Sequence, residues 1–284
     1  MLRVGLIGPG RAGQALVRLL PHGRYELGPV LSRSLTSARR AARLMRMGAP
    51  TVDYEQLASC GLILIAVPDD AIAGAAGRLA GVSFAFRRKV VLHSSGALTS
   101  QALQPLQARG ASVGSLHPLQ TLGRHVHTLA GVHFAVEGDE AAMRLARTLV
   151  TDWRGKLLRI KPGHKALYHA AATFASPLFT PLMQAAVRLM GAAGVRPQPA
   201  IQALRPLLLT TLDNFAHTGR QSWTGPLARG DAATVRLHLE ALAGFDPNLA
   251  GYYRAAALTA LRMFNRHPEL QKLLAEQALP PRNV

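Results

Sequence analysis

The chain has 284 residues, 49% of them hydrophobic, which suffices for one large domain or two of ordinary size. Its single cysteine, Cys60, excludes disulfides within the chain and cysteine-based zinc clusters. No apolar run reaches the ~18 residues of a membrane-spanning helix, and the first residues show no secretory signal. We therefore expect a cytoplasmic protein with no membrane partner.

The formal charge is +18, and arginine supplies most of the 33 basic residues. These residues are scattered along the chain, in pairs at most, and few aromatic residues accompany them. The sequence therefore predicts no nucleic-acid partner. The excess of positive charge instead favours the capture of anionic cofactors and substrates.

Short apolar segments alternate with helical ones in the first half of the chain. Strands are predicted over 3–7, 25–31, 62–67, 89–93, 112–116, 133–137 and 157–160, with helices over 12–20 and 36–47. An uninterrupted apolar run such as 62–67 is typical of a strand buried on both faces of a parallel sheet. The alternation predicts an α/β fold with an N-terminal Rossmann domain, a doubly wound parallel sheet.

Beyond about residue 162 the sequence becomes rich in Ala and Leu at helical spacing. Helices are predicted over 166–175, 178–193, 199–218, 232–243 and 249–265. The change places a domain boundary between residues 161 and 162. We expect residues 162–284 to form an all-α C-terminal domain that completes the substrate cleft.

A glycine-rich segment follows the first predicted strand and opens a helix. It reads Gly8-Pro9-Gly10-Arg11-Ala12-Gly13, the G-x-G-x-x-G pattern of dinucleotide-binding loops in the context that the pattern requires. The first glycine permits a tight turn, the second lets the backbone approach a pyrophosphate, and the third allows close helix–strand packing. All six residues are predicted to bind the cofactor.

The end of the second strand indicates which dinucleotide binds. Ser32, Arg33 and Ser34 stand where NAD-selective sites usually place an acidic residue on the ribose. A guanidinium flanked by two hydroxyls suits a 2′-phosphate instead. The predicted cofactor is NADP.

Two later strand ends complete the predicted cleft. Val67 and Pro68 follow the strand at 62–67, and Ser94 follows the strand at 89–93, so all three are predicted to line the dinucleotide. Asp69 and Asp70 are interpreted as caps of the next helix rather than as catalytic groups.

Hydroxyl and imidazole groups near the nicotinamide end are candidates for substrate binding. Ser94, Ser95 and Gly96 form one such group, with a turn and helix cap as the alternative. His117, at the end of another strand, is a candidate substrate donor or acid–base, with a structural role as the alternative.

The first helix of the C-terminal region carries Lys165 and His169, four residues apart and therefore on one face. Lys165 is predicted to exchange a proton with the atom attached to the reacting carbon, and His169 to orient the substrate. Placement of both on the surface is the alternative. Further along, Arg229 is a candidate carboxylate ligand, or else part of a rigid turn in which Asp231 caps the next helix.

No metal site is predicted. His125, His127 and His133 lie close together in sequence, but no matched carboxylate pattern accompanies them.

Six segments carry a resemblance to a known family: GPGRAG (8–13), AVPDD (66–70), HSSGAL (93–98), SLHPLQ (115–120), KALYHAA (165–171) and TGPLARGD (224–231). The chain resembles Rossmann-like proteins with a C-terminal DUF2520 domain, within the 6-phosphogluconate-dehydrogenase-like superfamily. The resemblance covers essentially the whole chain and implies the fold and cofactor class, but it specifies little about the substrate.

More distantly, Lys165 with His169 resembles the Lys-x-x-x-Asn pair of β-hydroxyacid dehydrogenases and ketopantoate reductases, with histidine in place of asparagine. That likeness implies an acid–base lysine. The His117-Pro118 segment is similar to prephenate dehydrogenases. Such relatives commonly dimerise through the helical domain, which implies a homodimer.

These observations predict an NADP-dependent oxidoreductase that transfers a hydride to or from a small carbonyl, hydroxy-acid or imine substrate. The positive charge of the chain favours an anionic substrate. Two alternatives stay open: a non-catalytic NADP-binding sensor or regulatory protein, and a deazaflavin-linked NADP oxidoreductase.

Overall fold

The computed structural model describes residues 1–123, 126–161 and 163–276. The chain forms two compact units, Met1–Phe179 and Thr180–Val284. The helix that begins at Lys165 therefore belongs to the first unit. The domain boundary between residues 161 and 162 stays a prediction.

The first unit is built on one eight-stranded sheet. Its strands are β1 (Leu2–Ile7), β2 (Tyr25–Leu31), β3 (Ala49–Thr51), β4 (Leu62–Ile65), β5 (Val90–His93), β6 (Ser112–Pro118), β7 (His133–Gly138) and β8 (Lys156–Leu158). Their order across the sheet is 3-2-1-4-5-6-7-8. The first six follow the order of doubly wound dinucleotide-binding sheets, with the reversal of direction beside β1.

Helices cover both faces of this sheet. They are α1 (Arg11–Arg18), α2 (Leu35–Met45), α3 (Asp69–Ala80), α4 (Gln104–Ala108) and α5 (Glu140–Asp152), and α6 (Lys165–Ala175) follows β8 along the chain. One core cluster joins α1, α2 and α5 to the sheet, and a second joins α3 and α4 to it. The predicted α/β class and doubly wound sheet are confirmed.

Strand β4 shows why the central sequence is continuously apolar. Leu62 and Leu64 pack in one core cluster, whereas Ile63 and Ile65 pack in the other. Successive strand residues point to opposite faces, and both faces are covered, so all four positions are buried.

The structure differs from the sequence prediction at two places in the sheet. The pair β6–β7 is antiparallel, because the chain reverses direction between Pro118 and His133. Strand β3 was not predicted, since it is three residues long and contains Pro50, and it forms the edge of the sheet beside β2. Proline is tolerated there because an edge strand need not donate to a second neighbour.

The second unit is helical in its described residues. Helix α7 (Phe179–Ala192) leads into it from the first unit, followed by α8 (Pro197–Thr218), α9 (Pro226–Arg229), α10 (Ala232–Phe245), α11 (Pro247–Met263) and α12 (Pro268–Glu276). Its core cluster draws on α10, α11 and α12. The five helices predicted beyond residue 162 are present as α6, α7, α8, α10 and α11, and the structure adds the short helices α9 and α12, which the sequence analysis did not predict.

Helices α7 and α8 bury little of their apolar surface. The only buried residue of α8 is Ala200, while Leu207 and Leu212 are each 62% exposed. In the described part of the chain, no helix is both long enough and apolar enough to cross a membrane.

Candidate active site

The loop after β1 has the backbone geometry of a phosphate-binding turn. Gly8 has a left-handed φ of +85°, and a Cβ there would lie 2.8 Å from the backbone nitrogen of Val67. A Cβ on Gly13 would lie 2.7 Å from the Gly8 carbonyl oxygen, so only glycine fits either position. Gly10 precedes α1 without a capping side chain, which leaves the first amides of the helix for an external acceptor.

The remaining residues of the loop leave that helix end open to an anion. The Pro9 carbonyl accepts a hydrogen bond from the Gln14 side chain at 2.8 Å, which holds the turn against α1. Arg11 is exposed and Ala12 is half-buried, and the first turn of α1 contains no acidic residue. An anion here would meet the positive end of the helix and an adjacent guanidinium.

Ser32, Arg33 and Ser34 follow β2 as predicted. Ser34 caps α2, and its Oγ accepts from the backbone N–H of Ser37 at 3.3 Å. Arg33 is exposed and forms no hydrogen bond or ion pair with any other residue that the structure describes. Its guanidinium is therefore available to a ligand, while Ser34 already has a local structural role.

Val67 packs directly on Gly8, so the structure brings these two predicted cofactor residues together. Pro68 is the N-cap of α3, and Asp69 and Asp70 lie in the first turn. The interpretation of the two aspartates as capping residues is therefore wrong. Their negative charges interact favourably with the N-terminal end of the helix dipole instead.

The turn after β5 places Ser94, Ser95 and Gly96 at the carboxyl edge of the sheet. The Ser95 hydroxyl accepts from the backbone N–H groups of Ala97 at 3.1 Å and Leu98 at 2.9 Å, so the turn alternative describes this side chain. Ser94 is half-buried, whereas Ser95 and Gly96 are buried.

Lys165 is the central feature of this edge. Its ammonium donates to the carbonyl oxygen of Ser95 at 2.8 Å and to Oγ of Ser115 on β6 at 2.5 Å. Only 3% of the residue is exposed, which excludes the surface alternative. Burial lowers the pKa of Lys165 to about 8, although Glu137 and Asp69 act in the opposite direction.

His117 is held by the same helix that carries Lys165. Its Nδ1 lies 2.8 Å from the hydroxyl of Tyr168 on α6, and the two rings meet edge to face. Burial, with smaller contributions from His169 and Lys165, lowers the pKa of His117 to about 4. His117 is therefore neutral at pH 7.

Two imidazole nitrogens converge on Gly96. A Cβ on this glycine would lie 2.4 Å from Nδ1 of His169 and 2.9 Å from Nε2 of His117. Nδ1 of His169 is buried and has no hydrogen-bond partner among the described residues. The absence of a side chain at Gly96 leaves the space between these nitrogens open, and a buried nitrogen without a protein partner can form a hydrogen bond with a ligand.

The structure adds His93, Ser115 and Tyr168 to the predicted residues. Nδ1 of His93 accepts from the backbone N–H of Ser95, so its Nε2 carries the proton and donates to the Thr99 carbonyl. Burial, followed by the charge of Lys165, lowers the pKa of His93 to about 4. Through these two hydrogen bonds, His93 holds the backbone of the turn that contains Ser95 and Gly96. The alternation of β6 offered a signal for Ser115, since it lies two residues before His117 on the same face.

Arg229 lies in α9 of the second unit, and the Lys165 cluster lies in the first, so its role as a substrate ligand stays a prediction. The alternative interpretation of this loop is correct for Asp231, which caps α10 through a bond from the Thr234 amide at 3.0 Å.

Over residues 1–123, 126–161 and 163–276, no three His, Cys, Asp or Glu side chains are grouped to hold a metal ion. His125 lies outside these described residues.

Two family models match the chain, a Rossmann-like domain over residues 1–118 and a domain of unknown function, DUF2520, over residues 132–260. Together with the strand order and the glycine turn, the first match defines the class as a Rossmann-like α/β protein. The chain is a Rossmann-like protein with a C-terminal DUF2520 domain, as its motifs indicated.

Solved structures share the whole fold at low identity. BF3122 of Bacteroides fragilis, assigned as an NADP oxidoreductase, is 18% identical with a TM-score of 0.77, covering 91% of this chain and 97% of its own. TM1727 of Thermotoga maritima is 22% identical with a TM-score of 0.66, covering 97% and 100%.

A reductive aminase of Aspergillus terreus, in complex with NADPH and ethyl-5-oxohexanoate, is 16% identical with a TM-score of 0.63, covering 97% and 93%. These likenesses establish the fold. No curated protein matched the chain.

Proposed function

We propose that the protein is an NADP-dependent oxidoreductase that transfers a hydride to or from a small carbonyl, hydroxy-acid or imine substrate. The observation that carries the proposal is the buried ammonium of Lys165, bonded to Ser95 and Ser115 at the carboxyl edge of the sheet. Ligands of open α/β sheets bind at this edge, beside the point where the strand order reverses.

The described residues fit an NADP molecule. The turn at 8–13 would hold the pyrophosphate, and Ser32, Arg33 and Ser34 the adenosine 2′-phosphate, with Val67, Pro68 and Ser94 lining the path to the nicotinamide. Bound NADPH would supply the hydride. The NADP oxidoreductase assignment and the NADPH complex among the structural relatives support this cofactor class.

Lys165 is proposed as the acid–base group. An ammonium has three N–H donors, and Ser95 and Ser115 take two, which leaves one for the oxygen or nitrogen of the substrate. A pKa of about 8 keeps the amine mostly protonated at neutral pH, yet close enough to exchange its proton in either direction. His117 and His169, which converge on Gly96, are proposed to contact the substrate.

The test is transfer of label from stereospecifically deuterated NADPH to a panel of keto acids, aldehydes and cyclic imines. Mass spectrometry should find deuterium on carbon in at least one reduced product. Binding of NADPH without transfer of deuterium to any compound of the panel would favour the non-catalytic sensor. Transfer only to an added deazaflavin would favour a deazaflavin-linked NADP oxidoreductase.

We also propose a homodimer formed through the helical part of the chain. Leu207, Leu212 and Phe215 on α8 leave more than half of their surface exposed, and grouped exposed apolar side chains are typical of surfaces that associate with another protein. Sedimentation equilibrium should give twice the 30.3 kDa mass of the chain, and a monomer at micromolar concentration would refute the proposal.

A further inference from the structure

We propose that Tyr168 fixes His117 as a neutral N–H donor, so that the site selects substrates whose reacting group is a carbonyl or its alcohol and rejects iminium ions. The inference rests on the proposed function and narrows its substrate class. It follows from the hydrogen bonds and charges around the Ser95–Gly96 turn.

The hydroxyl of Tyr168 determines which nitrogen of His117 carries the proton. Burial raises the pKa of Tyr168 to about 12, so its hydroxyl stays protonated and can donate to Nδ1 of His117. If Nδ1 donated instead, the hydroxyl proton of Tyr168 would have no acceptor among the described residues. Because neutral imidazole carries one proton, that proton is on Nε2.

Nε2 of His117 faces Gly96, so its N–H points at the Ser95–Gly96 turn. Lys165 contacts the same turn, because its ammonium donates to the carbonyl oxygen of Ser95. Both groups are donors. A carbonyl oxygen, or the alkoxide that hydride addition generates on it, can accept from both, and preorganised donors aimed at a developing oxyanion are a strong source of catalysis.

An iminium ion, unlike a carbonyl oxygen, cannot accept from these two donors. Its nitrogen has no lone pair for the N–H of His117, and its positive charge would approach the ammonium of Lys165. Glu137 is occupied by the backbone N–H and the hydroxyl of Ser100, and Asp69 lies in the first turn of α3. Among the described residues, no carboxylate lies within 4.0 Å of the Lys165 ammonium. An iminium that approached this ammonium would therefore meet no carboxylate at ion-pair distance from it, and the charges of Glu137 and Asp69 would act only from further away.

The chain contains a matched control. In the second unit, Nδ1 of His238 lies 3.0 Å from the hydroxyl of Tyr253, and these rings also meet edge to face. Y168F and Y253F therefore remove the same hydroxyl from the same kind of pair, but only Y168F does so beside Gly96.

The experiment uses the full chain labelled with 15N-histidine and two probes, oxalate as an acceptor-only anion and pyrrolidinium as a donor-only cation. Long-range 1H–15N spectra should show His117 protonated on Nε2 in the wild type and in Y253F, and a mixture of tautomers in Y168F. Oxalate should bind at least tenfold more tightly than pyrrolidinium, and Y168F should weaken oxalate binding about tenfold.

Protonation of His117 on Nδ1 in the wild type, tighter binding of pyrrolidinium, or no oxalate binding would each overturn the inference. An NADPH titration of the same sample distinguishes failure of the inference about His117 from failure of the proposed function. If NADPH binds and oxalate does not, only the inference fails, whereas absence of NADPH binding removes the proposed function itself.

Discussion

The two parts of the candidate site in the first unit are built in different ways. The glycine turn after β1 is made of backbone, and its geometry depends on Gly8 and Gly13 lacking side chains. The cluster around Lys165 is made of side chains from β6 and α6 that hydrogen-bond to one another and to the backbone of the turn after β5. We therefore expect substitutions in the first part to change cofactor affinity and those in the second to change turnover.

The sharpest test of this division is Lys165→Met, which keeps an unbranched side chain one atom shorter and removes its charge and donors. We expect kcat to fall by about 10³-fold, within the range for loss of a general acid, and the Kd for NADPH to change less than twofold. Stopped-flow absorbance and calorimetry measure the two quantities. An equal loss of kcat and of NADPH affinity would show that Lys165 supports the structure of the whole sheet edge.

Gly96→Ala should reduce kcat/KM by about 10²-fold, because a 1 Å displacement of a catalytic group has effects of this order. The new methyl group would lie 2.4 Å from Nδ1 of His169 and must displace that ring or its neighbour His117. Gly77→Ala is the matched control, since a Cβ there meets no atom within 4 Å. A G96A enzyme with unchanged kinetics would place the substrate elsewhere.

Arg33→Gln should weaken NADPH about 30-fold and leave NADH unaffected, since a charge-assisted pair contributes roughly 2 kcal/mol. Arg147→Gln removes the same charge from an exposed position on α5 and should change neither affinity. Parallel loss of both dinucleotides in R33Q would mean that Arg33 does not read the 2′-phosphate.

The last prediction concerns stability in acid rather than binding or turnover. His93 has a folded pKa of about 4 against an ordinary value of 6.5, so between those values the unfolded chain takes up a proton that the folded chain does not. Stability should therefore be fully present above pH 6.5 and fall as the pH drops to 4, by up to about 3 kcal/mol for this group.

Urea unfolding of His93→Gln should show a shallower decline of the free energy between pH 6.5 and 4 than the wild type. His127→Gln, at an exposed position, should retain the full slope. Identical slopes in all three proteins would contradict a buried, neutral His93.

The difference between the glycine turn and the Lys165 cluster also decides which parts of the site could be predicted from the sequence. The glycine turn was predictable because its requirements are local: a strand, three glycines and a helix within thirteen residues. Lys165 and His169 were predictable as a pair because the helical repeat places them on one face.

Ser115 and Tyr168 were not predicted because their roles depend on distant partners, whereas the partners of His93, Ser95 and Thr99, lie in the turn that follows it. Ser115 lies 50 positions from Lys165, and Tyr168 lies 51 positions from His117. The alternation of β6 places Ser115 on the same face as His117, but local periodicity does not identify a partner 50 residues away. The sheet edge and α6 bring them together only in the folded chain.

The most direct test of the account is a calorimetric titration of NADPH and NADH into the wild type and into K165M. We predict that NADPH binds both proteins with Kd values within about twofold of each other, and that NADH binds more weakly to each by about tenfold or more. Folded protein that gives no heat with either dinucleotide would contradict the proposal that this protein binds NADP.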